Sequence, residues 1–284
     1  GMSSKIENYL GFPTGISGQA LAGRAQVQAQ KFGARVAVSR MVAGLDCDRH
    51  PYRLRLEDGQ SIRAKAIVVA SGARYRKLDL SDYDRFEGQG IHYAATAMEA
   101  GLCGGRNVVV VGGGNSAGQV AMFLSRTSGH VHLVVRGEGL AATMSDYLVQ
   151  RIRQSPRITL HTHSSVTTLR GSASLRQIGW TNRRSGAETV IDAAALFLMI
   201  GAEPNTEWLG GCVALDSKGF VLTGTQADAS SAYETERPGI FAVGDVRSGS
   251  VKRVAAGVGE GSVAVQAIHR YLENVDHLRR DGAS

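Results

Sequence analysis

The chain has 284 residues, 43% of them apolar, and a net charge of +7, which is enough for two modest domains with cores of their own. No apolar run approaches the roughly 18 residues of a membrane span. The basic residues are scattered apart from Arg151, Arg153 and Arg157 and the pair Arg279 and Arg280, without interleaved aromatics, which argues against nucleic-acid and membrane partners.

The opening Gly1-Met2-Ser3-Ser4 reads as a remnant before a start methionine with no apolar segment behind it, so a cytoplasmic location is expected. Ser17 is placed to cap a helix running to about Phe32. Residues 34–40, 52–56 and 61–70 then read as strands around an Asp58-Gly59 hairpin turn. Ile67-Val68-Val69-Ala70 ends in the small residues Ser71-Gly72-Ala73, where backbone can lie against a flat ligand. A polar bridge is expected over 78–90. Cys47, Cys103 and Cys212 are few and widely spaced, which predicts ordinary reduced thiols and neither a disulfide framework nor a zinc site.

The stretch Val108-Val109-Val110-Val111-Gly112-Gly113-Gly114-Asn115-Ser116-Ala117 joins a buried-type strand to a Gly-x-Gly-x-x-Ala turn and a helix start. Gly112 permits the tight turn, Gly114 lets backbone approach a pyrophosphate, and Ala117 lets helix pack on strand. A helix over 116–125 and a strand over 130–135 complete a βαβ unit, so dinucleotide binding is the expectation. Arg136 stands at the end of the second strand, where an acid would accept from a ribose hydroxyl. It favours a 2′-phosphate and so gives NADPH a modest preference over NADH.

Further on, a helix over 145–154, strands from Ile158 through Ile191 and a buried strand over 195–200 are expected. His161 and His163 alternate on one strand face and read as surface residues, with no metal site. Ile200 and Gly201 open a loop through Thr206 that suits a nicotinamide ring. The last part has strand signals at Phe220-Val221, then Ile240-Phe241-Ala242-Val243-Gly244-Asp245, then a helix over 254–272 with glycines at its start. There Asp245 could accept from a ribityl hydroxyl, while the helix start and Lys252 or Arg253 face an anion.

Five motifs now stand in one order: Glu7-Asn8-Tyr9 with Gly11-Phe12-Pro13; Ala70-Ser71-Gly72-Ala73; 112–117; Ile200-Gly201 with Pro204-Asn205-Thr206; and 239–245. From 6 to 272 the chain resembles low-molecular-weight thioredoxin reductases, flavoproteins of the pyridine nucleotide-disulfide oxidoreductase family. The resemblance implies an α/β fold of two intertwined Rossmann-like, three-layer ββα domains. An FAD-type domain would span 1–87 and 207–284, and an NAD(P)H domain 88–206. It implies that Asn8, Gly72, Gly244, Asp245, Lys252, Arg253 and Val254 line FAD. Gly112, Gly114, Asn115, Ser116, Ala117, Arg136, Ile200 and Gly201 would line NADPH. Family members are commonly dimers, so a homodimer is the expected assembly.

Three departures shape the expected function. The family's redox dithiol falls on Ala94 and Ala97, which can neither attack a disulfide nor resolve one, so no catalytic residue is assigned. Cys103 lies a few residues on and has no partner in sequence. The strand, glycine turn and helix that hold the FAD pyrophosphate are not found before Ile6. That leaves the FAD domain incomplete, strands 67–70 and 240–243 short of neighbours, and FAD binding weak or absent. The family's arginine-rich loop is reduced to Arg136, with Gly137 and Ala141 at the other basic positions. The Ala-Ala-Thr-Ala form also resembles the reductase-like half of bacterial proteins with a cyclic-nucleotide-binding domain in front.

Two functions follow from this. One is an FAD- and NADPH-dependent oxidoreductase that passes hydride to a non-disulfide acceptor, a protein or a small molecule. The alternative is a non-catalytic NADP(H)-binding or interaction module. Thioredoxin reductase activity itself is disfavoured by the missing dithiol.

Overall fold

The computed structural model describes Ile6 and residues 9–281, with side chains through 275. The chain divides into two compact units, 1–74 with 202–284 and 75–201.

The first unit opens with α1 (Gly18–Lys31), where Ser17 takes the cap position and its hydroxyl accepts from the Ala20 N–H at 3.1 Å. Of this helix only Gly18 is buried, so capping rather than core contact marks its start. The expected strand over 34–40 does not form. Val36 and Val38 alternate but stay exposed, and Ser39 adopts a left-handed φ of 59°, which breaks an extended run. The first strand is instead β1 (Val42–Asp46), and it pairs antiparallel with β2 (Tyr52–Leu56). The Asp58-Gly59 turn leads into β3 (Ser61–Ala64) on the other side of β2. The expected continuous strand 61–70 is split, because its second half changes partner. The chain enters β4 (Ile67–Val69), which turns Ile67 and Val69 inward and leaves Val68 exposed, and then β5 (Ala73–Tyr75).

In the second unit the expected polar bridge contains a short helix, α2 (Tyr83–Phe86), whose Tyr83 and Phe86 are buried in the core with Ile91, Val109 and Leu196. The Tyr93 hydroxyl donates to Glu87 at 2.6 Å and lies 2.8 Å from the Tyr83 hydroxyl, and Lys77 reaches Glu87 and Asp84. These buried aromatics and their polar partners belong to the compact unit that begins at 75. That unit ends at 201.

After β6 (Ile91–His92) and α3 (Ala97–Leu102) come β7 (Val108–Val111), α4 (Asn115–Leu124), β8 (Val131–Val134), α5 (Asp146–Gln154) and β9 (Ile158–His161). The meander β10 (Ser164–Gly171), β11 (Leu175–Asn182) and β12 (Glu188–Asp192) follows, and β13 (Ala195–Leu198) closes the unit. The parallel sheet has the order β6-β13-β7-β8-β9. Val108 and Val110 face α3, α4 and α5, while Val109 and Val111 face the meander, so every side chain of β7 is buried. That two-sided burial explains the unbroken valine run. Meander, sheet and helices make three layers, ββα.

The chain then returns to the first unit through β14 (Ala202–Pro204), which pairs with β5, and β15 (Ile240–Ala242), which pairs parallel with β4. The long α6 (Val254–Asp281) follows and extends nine residues past the expected end. Phe220-Val221 forms no strand and makes only isolated bridges through Val221 to Leu215 and Arg247. Ile67, Val69, Ile240 and Ala242 meet Leu45 and Tyr52 of the β1 to β3 meander in one core.

Strand β15 is not short of neighbours, contrary to expectation. It has β4 on one side, and on the other the 233–235 segment, whose Tyr233 carbonyl accepts from the Ala242 N–H at 2.9 Å. In this pair the outer edge of β4 has no paired strand among the described residues.

The expectation of three reduced cysteines is overturned in this unit. Cys47, just past β1, and Cys212 form a disulfide across 165 residues of sequence, with Cα atoms 5.8 Å apart. Spacing along the chain carried no sign of it, because the packing of the meander against the returning chain creates the proximity.

Candidate functional site

Three adjacent parallel strands, β13, β7 and β8, release their carboxyl ends at the same edge of the second unit. There the sequence places Ile200 and Gly201, the 112–117 turn, and Arg136. Gly112 takes a φ of +141°, and a Cβ on it would stand 2.4 Å from the Met199 carbonyl oxygen and 3.2 Å from the Ala117 Cβ. Both a glycine at 112 and a small side chain at 117 are thus required by close approach. Ala117 is fully buried.

Gly114 caps α4 with extended backbone and no side-chain hydrogen bond, so the first N–H groups of this helix are left for an anion. A Cβ on Gly114 would meet nothing nearer than 3.9 Å. Two bonds brace the turn from behind. Thr143 Oγ1 donates to the Gly113 carbonyl at 2.8 Å, and Asn115 Oδ1 accepts from the Ser145 N–H at 2.8 Å. Asn115 therefore orients α5 as well as opening α4. Ser116 and Arg136 are exposed, and Arg136 makes no ion pair among the described residues. Gly201 has a φ of +93° and its carbonyl accepts from the Arg76 N–H at 3.1 Å. A Gly-x-Gly turn without Cβ atoms before an uncapped helix fits a dinucleotide pyrophosphate, and Arg136 fits its phosphorylated ribose.

Ala94 and Ala97 are exposed on either side of Thr96, which caps α3 in a box with Glu99. Cys103 is 1% exposed, its thiol donates to the Glu99 carbonyl at 3.1 Å, and burial pushes its pKa up. It cannot serve as an accessible thiolate here.

The first unit brings Gly72, Gly244 and Asp245 to the carboxyl ends of β4 and β15. Gly72 and Gly244 both need positive φ, 70° and 73°. Burial raises the Asp245 pKa, opposed by the Lys252 ammonium. Lys252 itself is lowered by burial, lies 4.3 Å from the Phe220 ring centre and reaches the Asp245 carbonyl at 3.4 Å. Arg253 and Val254 are exposed at the start of α6. Asn8 lies outside the described residues.

Sequence reasoning missed the group that ties this corner together. Glu260 on α6 is nearly buried, accepts from the Gly244 N–H at 2.6 Å, and pairs with Arg247 at 2.7 Å. These hydrogen bonds hold its carboxyl below the usual range against the opposing effect of burial. A lone carboxylate between Gly259 and Gly261 was the available signal.

A second miss lies on the meander side of β8 and β9. His161 is not a surface residue sharing a face with His163, because His163 turns left-handed at φ 50° and ends the strand. Instead His161 Nε2 lies 3.1 Å from His132 Nδ1, and Trp180 packs on both rings.

A family model described as pyridine nucleotide-disulphide oxidoreductase matches residues 1–261. The chain belongs to this family. It is 31% identical over 275 residues to the thioredoxin reductase of Chlamydia trachomatis serovar D, covering 96% of this chain and 85% of that one. It is 32% identical over 273 residues to NADPH-dependent thioredoxin reductase 3 of Arabidopsis thaliana, of which it spans half. Among solved structures, thioredoxin reductase from Giardia duodenalis superposes with a TM-score of 0.87 at 26% identity, over 95% of this chain and 86% of that one. The Streptococcus pyogenes MGAS5005 enzyme gives 0.82 at 27%, over 96% and 85%. Family membership makes the chain a thioredoxin reductase-like oxidoreductase with Rossmann-like units. No helix among the described residues is long and apolar enough to cross a membrane.

Proposed function

We propose that this family member binds NADPH in its second unit and, with FAD, delivers hydride to an acceptor other than a disulfide. The nucleotide would lie across the carboxyl ends of β13, β7 and β8. Its pyrophosphate would rest on the 112–117 turn, its 2′-phosphate at Arg136 and its nicotinamide near Ile200 and Gly201. Gly72, Gly244, Asp245, Lys252, Arg253 and Val254 would line FAD in the first unit, and Asn8 is assigned there by family resemblance. The bound cofactors supply the hydride chemistry, and the chain positions them and excludes competing reactions.

The observation that carries this reading is the pairing of a constrained glycine turn with exposed alanines at 94 and 97. The machinery for reading a dinucleotide is kept, whereas thiol exchange has no attacking sulfur. The relatives' printed activity points to a thioredoxin-type acceptor, and the two alanines are the reason to assign another.

The second reading is an NADP(H)-binding module without turnover. The visible absorption spectrum before and after incubation with excess FAD and desalting separates the two. A retained flavin band with NADPH oxidation by ferricyanide or a quinone supports the oxidoreductase. A colourless protein that binds NADPH and shows no turnover with added FAD overturns it in favour of the module.

A further inference from the structure

On the outer side of the second unit, α4 and α5 pack against each other and leave a groove of about 370 Å³ between them. Its floor is apolar. Met122, Phe123 and Leu148 line it, with Leu148 buried and the other two half-buried. Its polar rim is cationic, carrying Arg126 from just past α4 and Arg151 from α5. No carboxylate lines the groove, and neither guanidinium forms an ion pair among the described residues. Arg151 donates to the Tyr147 hydroxyl at 2.8 Å with its guanidinium 5.4 Å from that ring's centre. Tyr147 is 65% exposed, so an aromatic face backed by a cation stands open beside the apolar floor.

We propose that this groove is a binding site for a ring-bearing organic anion of the aromatic carboxylate or sulfonate class. The two guanidinium groups present forked donors suited to a planar or trigonal anion. A thioether, a phenyl ring and a leucine offer an adaptable surface for a flat apolar body. The volume lies at the small end of ligand pockets, which suits one or two fused rings rather than a dinucleotide. The site is distinct from the proposed NADPH site. It shares only Asn115, whose amide oxygen is already engaged by the Ser145 N–H.

The probe is 8-anilinonaphthalene-1-sulfonate, titrated into the full chain by fluorescence with and without saturating NADPH. The expected result is one saturable site, unaffected by NADPH. Affinity should fall at least about tenfold in Arg126→Ala/Arg151→Ala, the loss of charge-assisted hydrogen bonds. Arg151→Glu places a repelling charge in the same groove without touching the core, and should abolish the site while the thermal midpoint and NADPH binding persist. Unchanged probe affinity in these folded variants, or no saturable binding, overturns the proposal. Displacement of the probe by NADPH also overturns it, since the groove would then belong to the dinucleotide site. NADPH binding is read separately in each variant, so the two proposals fail independently.

Discussion

Two glycines two positions apart in the same turn carry different duties, and substitution separates them. Gly112 has a φ of +141° and its missing Cβ would fall 2.4 Å from the Met199 carbonyl oxygen. Gly112→Ala should cost about 1–3 kcal/mol from backbone strain alone, with the clash added. A drop in urea midpoint measures it. Gly114 has an ordinary φ of −91° at the cap of α4 and open space around it. Gly114→Asp should leave stability within about 0.5 kcal/mol of the parent, since aspartate is a favourable cap. The same carboxylate would repel a pyrophosphate, so NADPH binding, followed by nucleotide fluorescence, should be lost. Retained affinity in a folded Gly114→Asp protein would remove the turn from the proposed site. The imidazole cluster gives a second test at this scale. Burial, then His161 and His130, lower the His132 pKa to about 4 from an ordinary 6.5. The unfolded chain therefore binds more protons between those values, and stability that is full above pH 6.5 should decline as pH falls towards 4. His132→Asn, which cannot charge, should flatten the difference between urea midpoints at pH 7.5 and pH 5. An unchanged slope would assign the acid sensitivity elsewhere.

At the scale of elements, α6 is fastened to the 244–246 turn through one carboxylate. The side chains of Glu260 and Arg247 are only 9% and 17% exposed, so truncating one member leaves a charge with little solvent. Glu260→Ala should destabilise the protein by about 3–5 kcal/mol. Glu260→Gln should cost less, because it keeps an acceptor for the Gly244 N–H. Equal denaturation midpoints for the two variants would show that charge pairing, not the backbone bond, dominates. What could be read from sequence follows the same division between local and distant causes. The βαβ unit was legible, because β7, the glycine turn and α4 are consecutive and each carries its own signature of valines, glycines and helical spacing. The cap of α1 was legible for the same reason. The core helix α2 was not, since Tyr83 and Phe86 sit among charges and gain their burial only from Ile91, Val109 and Leu196. Residues 34–40 misled in the opposite sense, because apolar alternation specifies a strand only where a core face exists to receive it. In the candidate site, glycines with positive φ were visible as motif positions. Glu260 and the His132–His161 contact depend on strands and helices meeting, which no spacing along the chain encodes.

At the scale of the whole chain, the first unit is closed by a link that the same limit conceals. The first unit is built from two separated stretches of chain, and the whole of the second unit lies in sequence between them. The Cys47–Cys212 disulfide joins those stretches and closes a loop containing 75–201. A cross-link over so long a loop restricts the unfolded chain strongly, by about 2–5 kcal/mol in the chain-entropy account. Of the three cysteines, Cys103 alone is free. The oxidised protein, denatured without reductant, should therefore titrate one thiol per chain, and three after reduction. Three thiols before reduction would mean that the pair is open in the isolated protein. Reduction should lower the denaturation midpoint of the first unit, whose core includes both cysteines. The second unit has its own sheet and two core faces, so NADPH affinity should be unchanged by reductant at concentrations that keep the protein folded. A parallel loss of nucleotide binding and first-unit stability on reduction would show instead that the dinucleotide site depends on the unit that the disulfide closes.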